Sequence, residues 1–143
     1  KNLALGQPCR LSTLFKDSEG LSAYNAVDGN IDGNDIKALA ATQFETNPFC
    51  QIDLGSFIHI TNVRLWNRTD EPDDCALQND MFSKRLFPCF VMISQNPFPD
   101  DLEGKEGLDA CLNQSVAKVR FVDDKMMNNW IVPKFTVGRY VRV

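Results

Sequence analysis

Histidine is nearly absent from this chain of 143 residues: His59 is the only one. That leaves little room for an imidazole base or a histidine-ligated metal, since nucleophile–base catalysis needs a base within reach of a Ser or Cys. His59 itself sits in a strand pattern between Ile58 and Ile60, which reads as a solvent-facing strand residue. No nucleophile elbow and no phosphate-cradling glycine loop occurs. Asp73-Asp74 and Asp123-Asp124 fall in loop-like stretches and read as solvated charge, so the chain is not expected to be an enzyme. No apolar run approaches the roughly 20 residues of a membrane span. A net charge of −4 supplies no basic surface for nucleic acid or an anionic membrane. Repeats, low-complexity tracts and linkers are missing too, and helical periodicity is scarce.

Apolar residues make up 43% and charged residues 24%, enough for one globular domain with a real core. The apolar segments are short, partly alternating and separated by turn residues. Phe57 to Trp66 puts Ile58 and Ile60 on one face, then Val63 and Leu65 after a slip near Thr61-Asn62, which predicts a bulge. Phe90 to Ile93 is continuously apolar, as in a strand buried on both faces. Val119, Phe121 and Gly138 to Val143 read as further strands. Asn96-Pro97, Pro99-Asp100 and Gly104 to Gly107 read as turn or loop. Many short strands between turns predict an all-β sandwich or jelly roll. The chain stops at Val143 inside a predicted strand, so residues 1–143 are expected to be one domain lacking its final strand.

Five cysteines (Cys9, Cys50, Cys75, Cys89 and Cys111) follow no CxxC or zinc spacing. An odd count implies a free thiol or an intermolecular bond, unless some are simply buried apolar residues, a reading that suits Cys50 and Cys89. Sequons stand at Asn67-Arg68-Thr69 and Asn113-Gln114-Ser115.

Four motifs occur in order. Asn2 to Pro8 opens the chain, and Asn25-Ala26-Val27-Asp28-Gly29-Asn30 follows. Asn47-Pro48-Phe49-Cys50-Gln51-Ile52-Asp53-Leu54 comes next, and Gly138-Arg139-Tyr140-Val141 last. Together they resemble the F-type lectins (fucolectins), within the discoidin-like, galactose-binding-like group. The third is similar to the family's Asn-Pro-Trp-Trp-x-Val-Asp-Leu. The resemblance covers nearly the whole chain and implies an eight-stranded jelly-roll β-sandwich with loops gathered at one end.

It also implies a site. The family holds fucose with a histidine, then Arg-x-Asp, then a second arginine. A guanidinium is a rigid fork of donors suited to vicinal hydroxyls, and a carboxylate fixes that fork. Arg68 and Asp70 fall on Arg-x-Asp, and Arg85 on the second arginine, with Lys84 as a substitute. Phe44, Phe49 and Phe82 are candidate apolar walls. The alternative is a structural Arg68–Asp70 surface pair, worth about 0–1 kcal/mol. Three features depart from the family. The histidine position falls on Ala41, with the Thr42 hydroxyl beside it. The adjacent cysteine pair after Arg-x-Asp is replaced by Glu71-Pro72-Asp73-Asp74-Cys75. The interval from Asp70 to Arg85 is about ten residues longer, and its Glu71–Ser83 stretch is acidic.

The family's structural calcium site would map onto Asn25, Asp28, Asn30 and the Ala38 carbonyl. Asp32, Asn34 and Asp35 are further oxygen donors, and the other reading is an Asx-rich turn holding itself. The expected partner is a glycan or glycoprotein, in an extracellular setting that the cysteines, the sequons (Asn67, Asn113) and the resemblance favour. The competing expectation is a degenerate F-type fold that serves as a protein-interaction or adhesion domain and binds a protein receptor.

Overall fold

The structure is a computed structural model that describes residues 1–15, 20–71 and 81–143. Its described residues hold seven strands and one α-helix. They are β1 (Cys9–Leu11), β2 (Cys50–His59), β3 (Asn62–Trp66), β4 (Cys89–Ser94), α1 (Gly104–Gln114), β5 (Ala117–Phe121), β6 (Met127–Ile131) and β7 (Val137–Arg142). A five-stranded antiparallel sheet runs β1-β2-β7-β4-β5, and a two-stranded sheet pairs β3 with β6. The all-β sandwich read from the strand pattern is therefore present.

The core lies between the two sheets. Leu54, Ile60, Val91, Ile93, Trp130, Val132 and Val141 are buried there, with Val63 and Leu65 of β3 packed against them. β4 lies inside the sheet, between β7 and β5, which explains its unbroken apolar run: Val91 and Ile93 face the sandwich core. Met92 faces a second cluster with Phe98 and Cys111, where α1 covers the outer face of the sheet.

Two elements differ from the sequence reading. Phe57–Trp66 is not one bulged strand. β2 ends at His59 and β3 begins at Asn62, in the other sheet. The chain crosses between layers at Ile60-Thr61, where Ile60 N–H donates to Thr136 O (3.0 Å) and Thr61 O accepts from Val132 N–H (3.0 Å). The irregularity in β2 lies earlier, between Asp53 (opposite Tyr140) and Ile58 (opposite Gly138). Residues 104–107 are not a loop but the first turn of α1. Gly107, Cys111 and Leu112, at helical spacing, turn inward, while two glycines mask the signal. His59 is exposed on its strand, as its pattern implied.

The third and fourth motifs make one joint. Asp53 pairs in register with Tyr140, and Arg139 Nε and Nη2 donate to Asp53 Oδ1 and Oδ2 at 2.7 and 2.8 Å. This bidentate bond holds the Asp53 carboxyl below the usual carboxylate range. Deeper in the sheet Arg142 is almost fully buried. It donates to Gln51 Oε1 (2.6 Å) and Asp100 Oδ1 (2.7 Å), and its guanidinium lies 3.8 Å from the Phe49 ring centre. Phe49, half-buried, is thus a packing partner of Arg142 and of Arg10.

Candidate functional site

Three chain segments converge at the end of the sandwich where β3 stops. The first is residues 67–70, directly after β3. The second is the 3-10 turn Phe82–Leu86. The third is the loop 41–45.

Residues 67–70 are held from two sides. Asn67 is 5% exposed, and its Nδ2 donates to Ser83 O at 2.7 Å, tying the segment to the 3-10 turn. Its Oδ1 accepts from Arg68 N–H at 2.9 Å. From the other side, Gly33 O accepts from Thr69 N–H (2.8 Å) and Asp70 N–H (3.2 Å), and Thr69 Oγ1 donates to Asn34 Oδ1 (3.0 Å). The Asx-rich loop therefore braces the Arg-x-Asp segment through backbone contacts. Gly33 is required there, because a Cβ would fall 2.6 Å from Asn67 O.

On this support Arg68 Nε donates to Asp70 Oδ1 (2.7 Å) and Nη2 to Oδ2 (2.5 Å). The two side chains are 22% and 24% exposed. Asp70 thus fixes the plane of the guanidinium. Five N–H donors less the two used leave three, on Nη1 and Nη2, for another acceptor.

The Phe82 ring sits 4.2 Å from the Arg68 guanidinium carbon and 4.6 Å from that of Arg85. In a 3-10 turn residues three apart eclipse one another, which is why Arg85 stacks on Phe82. Arg85 also lies 5.6 Å from the Phe44 ring. Phe44 is 82% exposed and meets Phe15 edge-on with centroids 6.5 Å apart. The 41–45 loop is pinned by Phe15 N–H to Ala41 O (3.1 Å) and by Ser12 and Thr13 hydroxyls on Glu45 Oε1 (2.6 Å each). The structure thus brings together Arg68, Asp70, Arg85, Phe82 and Phe44. Thr42 is half-buried on the same loop, beside Ala41. Asp73, Asp74, Asp80 and Cys75, within the acidic interval, lie outside the described residues.

The sequence reading missed two residues that build this site. Gly33 carried no signal beyond its place in an Asx-rich loop. Asn67 was read only as a sequon. Its amide is buried against Ser83, so a glycan there would have to push that segment aside. Asn113, exposed on α1, is the sequon compatible with the folded chain.

In the proposed cation loop, Asp28 Oδ1 accepts from Asn30 N–H (2.7 Å), Asn30 Oδ1 from Asp32 N–H (2.9 Å) and Asp32 Oδ1 from Asn34 N–H (2.9 Å). The loop is therefore a chain of Asx turns. Asn25 Nδ2 donates to Lys37 O and Leu39 O (2.8 Å each) and to Gly20 O, which draws Asn25 against the carbonyls flanking Ala38. No group of three His, Cys, Asp or Glu gathers among the described residues. What the loop offers is the carboxylates of Asp28, Asp32 and Asp35, each accepting a backbone N–H within the loop, and backbone carbonyls. Such hard oxygen donors suit calcium better than a transition metal.

No protein-family model matches the sequence, and no curated protein matches it. Solved structures do. The lectin domain of lectinolysin, in complex with Lewis b antigen, is 25% identical with a TM-score of 0.70, over 99% of this chain and 83% of that one. A Streptococcus pneumoniae fucose-binding module is 20% identical, also at 0.70, over 99% and 82%. The fucolectin of striped bass (Morone saxatilis) serum is 23% identical at 0.68, over 99% of this chain and 42% of the bass chain. The fold class this defines is the β-sandwich of sugar-binding modules. Within it, the architecture is that of the F-type lectins, and these neighbours are lectin modules rather than enzymes. No helix among the described residues is long and apolar enough to cross a membrane.

Proposed function

We propose that this chain is a carbohydrate-recognition module for fucose-type sugars on glycans or glycoproteins. The observation that carries it is the convergence of Arg68 and Arg85 on one face-sharing ring, Phe82, with Arg68 fixed by Asp70. The guanidiniums donate to vicinal hydroxyls, and Phe82 with Phe44 meets the C–H face and methyl group of a deoxy sugar. Ala41 supplies no imidazole for an axial hydroxyl. One missing hydrogen bond weakens binding by about 1–1.5 kcal/mol, roughly tenfold. Single sites of this kind are shallow, so useful avidity comes from several copies or domains. Calcium in the Asn25–Ala38 loop has a structural role in this reading: it stiffens the loop that braces Thr69 and Asp70. The setting that fits such a ligand is extracellular.

The test is a titration of the chain with L-fucose and a fucosylated glycan array, with calcium and with chelator. Binding that vanishes in Arg68→Ala and Arg85→Ala, and weakens with chelator, is the expected result. No binding to any fucosylated glycan with calcium present sinks the proposal. The second reading, a protein-interaction domain, is favoured by Ala41. It is the one to adopt if Arg68→Ala leaves a protein partner bound while changes in residues 71–82 abolish it.

A further inference from the structure

Cys9 and Cys50 stand apart from the other described cysteines. β1 and β2 pair with Cys9 opposite Ile52 and Leu11 opposite Cys50. The two cysteines are therefore diagonal neighbours on one face of the ladder. Their Sγ atoms lie 3.3 Å apart, thiol to thiol. A disulfide needs about 2.05 Å, so a movement of roughly 1.2 Å shared by two side chains closes the gap. Cys89 and Cys111 have no cysteine beside them among the described residues. Cys111 lies under Arg142, its Sγ 3.4 Å from Nη1.

We propose that Cys9 and Cys50 are a cross-linking site that an external disulfide oxidant closes, bracing the segment that carries the binding loops. That segment, residues 10–49, includes Phe15, the Asx-rich loop with Gly33, and Phe44. It is attached to the sheet by β1, an edge strand of three residues. A bond from β1 to β2 replaces that weak attachment with a covalent one.

The chemistry balances with glutathione disulfide. The Cys9 thiolate attacks one glutathione sulfur, the glutathione S–S bond breaks, and one glutathione thiolate leaves. Cys50, losing its proton, then attacks Cys9 Sγ in the mixed disulfide and releases the second glutathione. Two electrons pass from the protein thiols to the oxidant, and the two thiol protons end on the two glutathiones. The order of attack follows from the pair itself. The hydrogen bond between the two thiols holds the Cys9 pKa down and pushes Cys50 up, with burial adding to the rise. Burial raises Cys89 to about 11 and also raises Cys111, so both compete poorly as nucleophiles.

The test equilibrates the whole chain in glutathione buffers from fully reduced to fully oxidised, then blocks free thiols and maps peptides by mass spectrometry. The expected product is a Cys9–Cys50 linked peptide two hydrogens lighter than its parts. Alkylation of both residues under full oxidation overturns the proposal, as does a Cys9 or Cys50 link to Cys75. The oxidised chain should also melt about 10 °C above the reduced chain, from the entropy of closing a loop of this length. Equal melting of the two forms overturns the bracing role. Cys9→Ser should abolish the gap, and the wild-type comparison decides the matter if that variant folds poorly. Neither readout involves sugar, so this proposal and the lectin reading fail separately.

Discussion

Gly33→Ala is the sharpest probe of how the site is supported. A Cβ on Gly33 would sit 2.6 Å from Asn67 O, 2.8 Å from Thr69 N and 2.9 Å from Thr69 Oγ1. Ordinary contact begins near 3.4 Å, so the 67–69 segment must retreat by about 0.5–0.8 Å. Two of the three atoms are backbone and cannot swing aside. The retreat also stretches the bonds from Thr69 and Asp70 N–H to Gly33 O, now 2.8 and 3.2 Å. Overpacking of this kind costs about 1–3 kcal/mol. Alanine recovers about 0.4–1 kcal/mol by restricting the unfolded chain, since Gly33 has no positive φ to lose. The net loss is therefore about 1–2 kcal/mol, or roughly 3–8 °C for a domain of this size. Because Arg68 rides on the displaced segment, sugar affinity should fall further than stability does. One weakened charged hydrogen bond, about 1.5–3 kcal/mol, lowers affinity tenfold or more. Thermal melting without ligand and fucose titration of the folded variant read the two effects. A variant that melts at or above wild type and titrates unchanged would refute the claim that the Asx-rich loop positions the arginine.

Phe82→Ala removes the ring that both guanidiniums share. At about 0.5–1 kcal/mol for each cation–π contact, fucose affinity should fall about 5–30-fold, while Phe82→Tyr keeps most of it; identical titrations for the alanine variant and wild type would refute the shared-platform role. Asp53→Asn tests the β2–β7 joint. The hydrogen bonds from Arg139 lower the Asp53 pKa on folding, so their stabilisation is complete above the unfolded carboxylate value of about 3.9 and is lost as pH falls through the folded value. The variant should be less stable at pH 7 and lose less stability between about pH 5 and pH 2; parallel acid-denaturation curves contradict this.

The fold was legible because its motifs are its joints. Residues 50–54 and 138–142 pair with each other, and Asp53 with Arg139 closes the pair. α1 was not legible because Gly104 and Gly107 sit where a helix former would have shown the period. The Phe57–Trp66 run misled because a change of sheet looks like a bulge: Ile58 of β2 and Val63 of β3 pack on the same core from opposite layers, and the slip between them is the crossing at Ile60-Thr61. In the site, Arg68, Asp70, Arg85 and Phe82 were legible through residue type and order. The support was not. Gly33 acts through its missing side chain and its carbonyl, and Asn67 through a buried amide, and neither leaves a periodic or compositional trace.

The joint between Gly33 and Thr69 also has a kinetic meaning. It links residues 36 positions apart in sequence, and the 41–45 loop and the 82–86 turn must arrive as well before the arginines meet on Phe82. The sheet's own pairings span longer separations, Gln51 and Arg142 being 91 positions apart, so what sets the recognition end apart is its few backbone bonds between loops rather than loop length. Such a segment opens before the sheets do under native conditions. Amides at Thr69 and Asp70 should exchange with solvent by local opening, well before those of Val91 and Ile93 in the interior strand β4. A ligand that bridges Arg68 and Arg85 would slow that opening, so hydrogen exchange at two backbone positions becomes a direct reporter of occupancy.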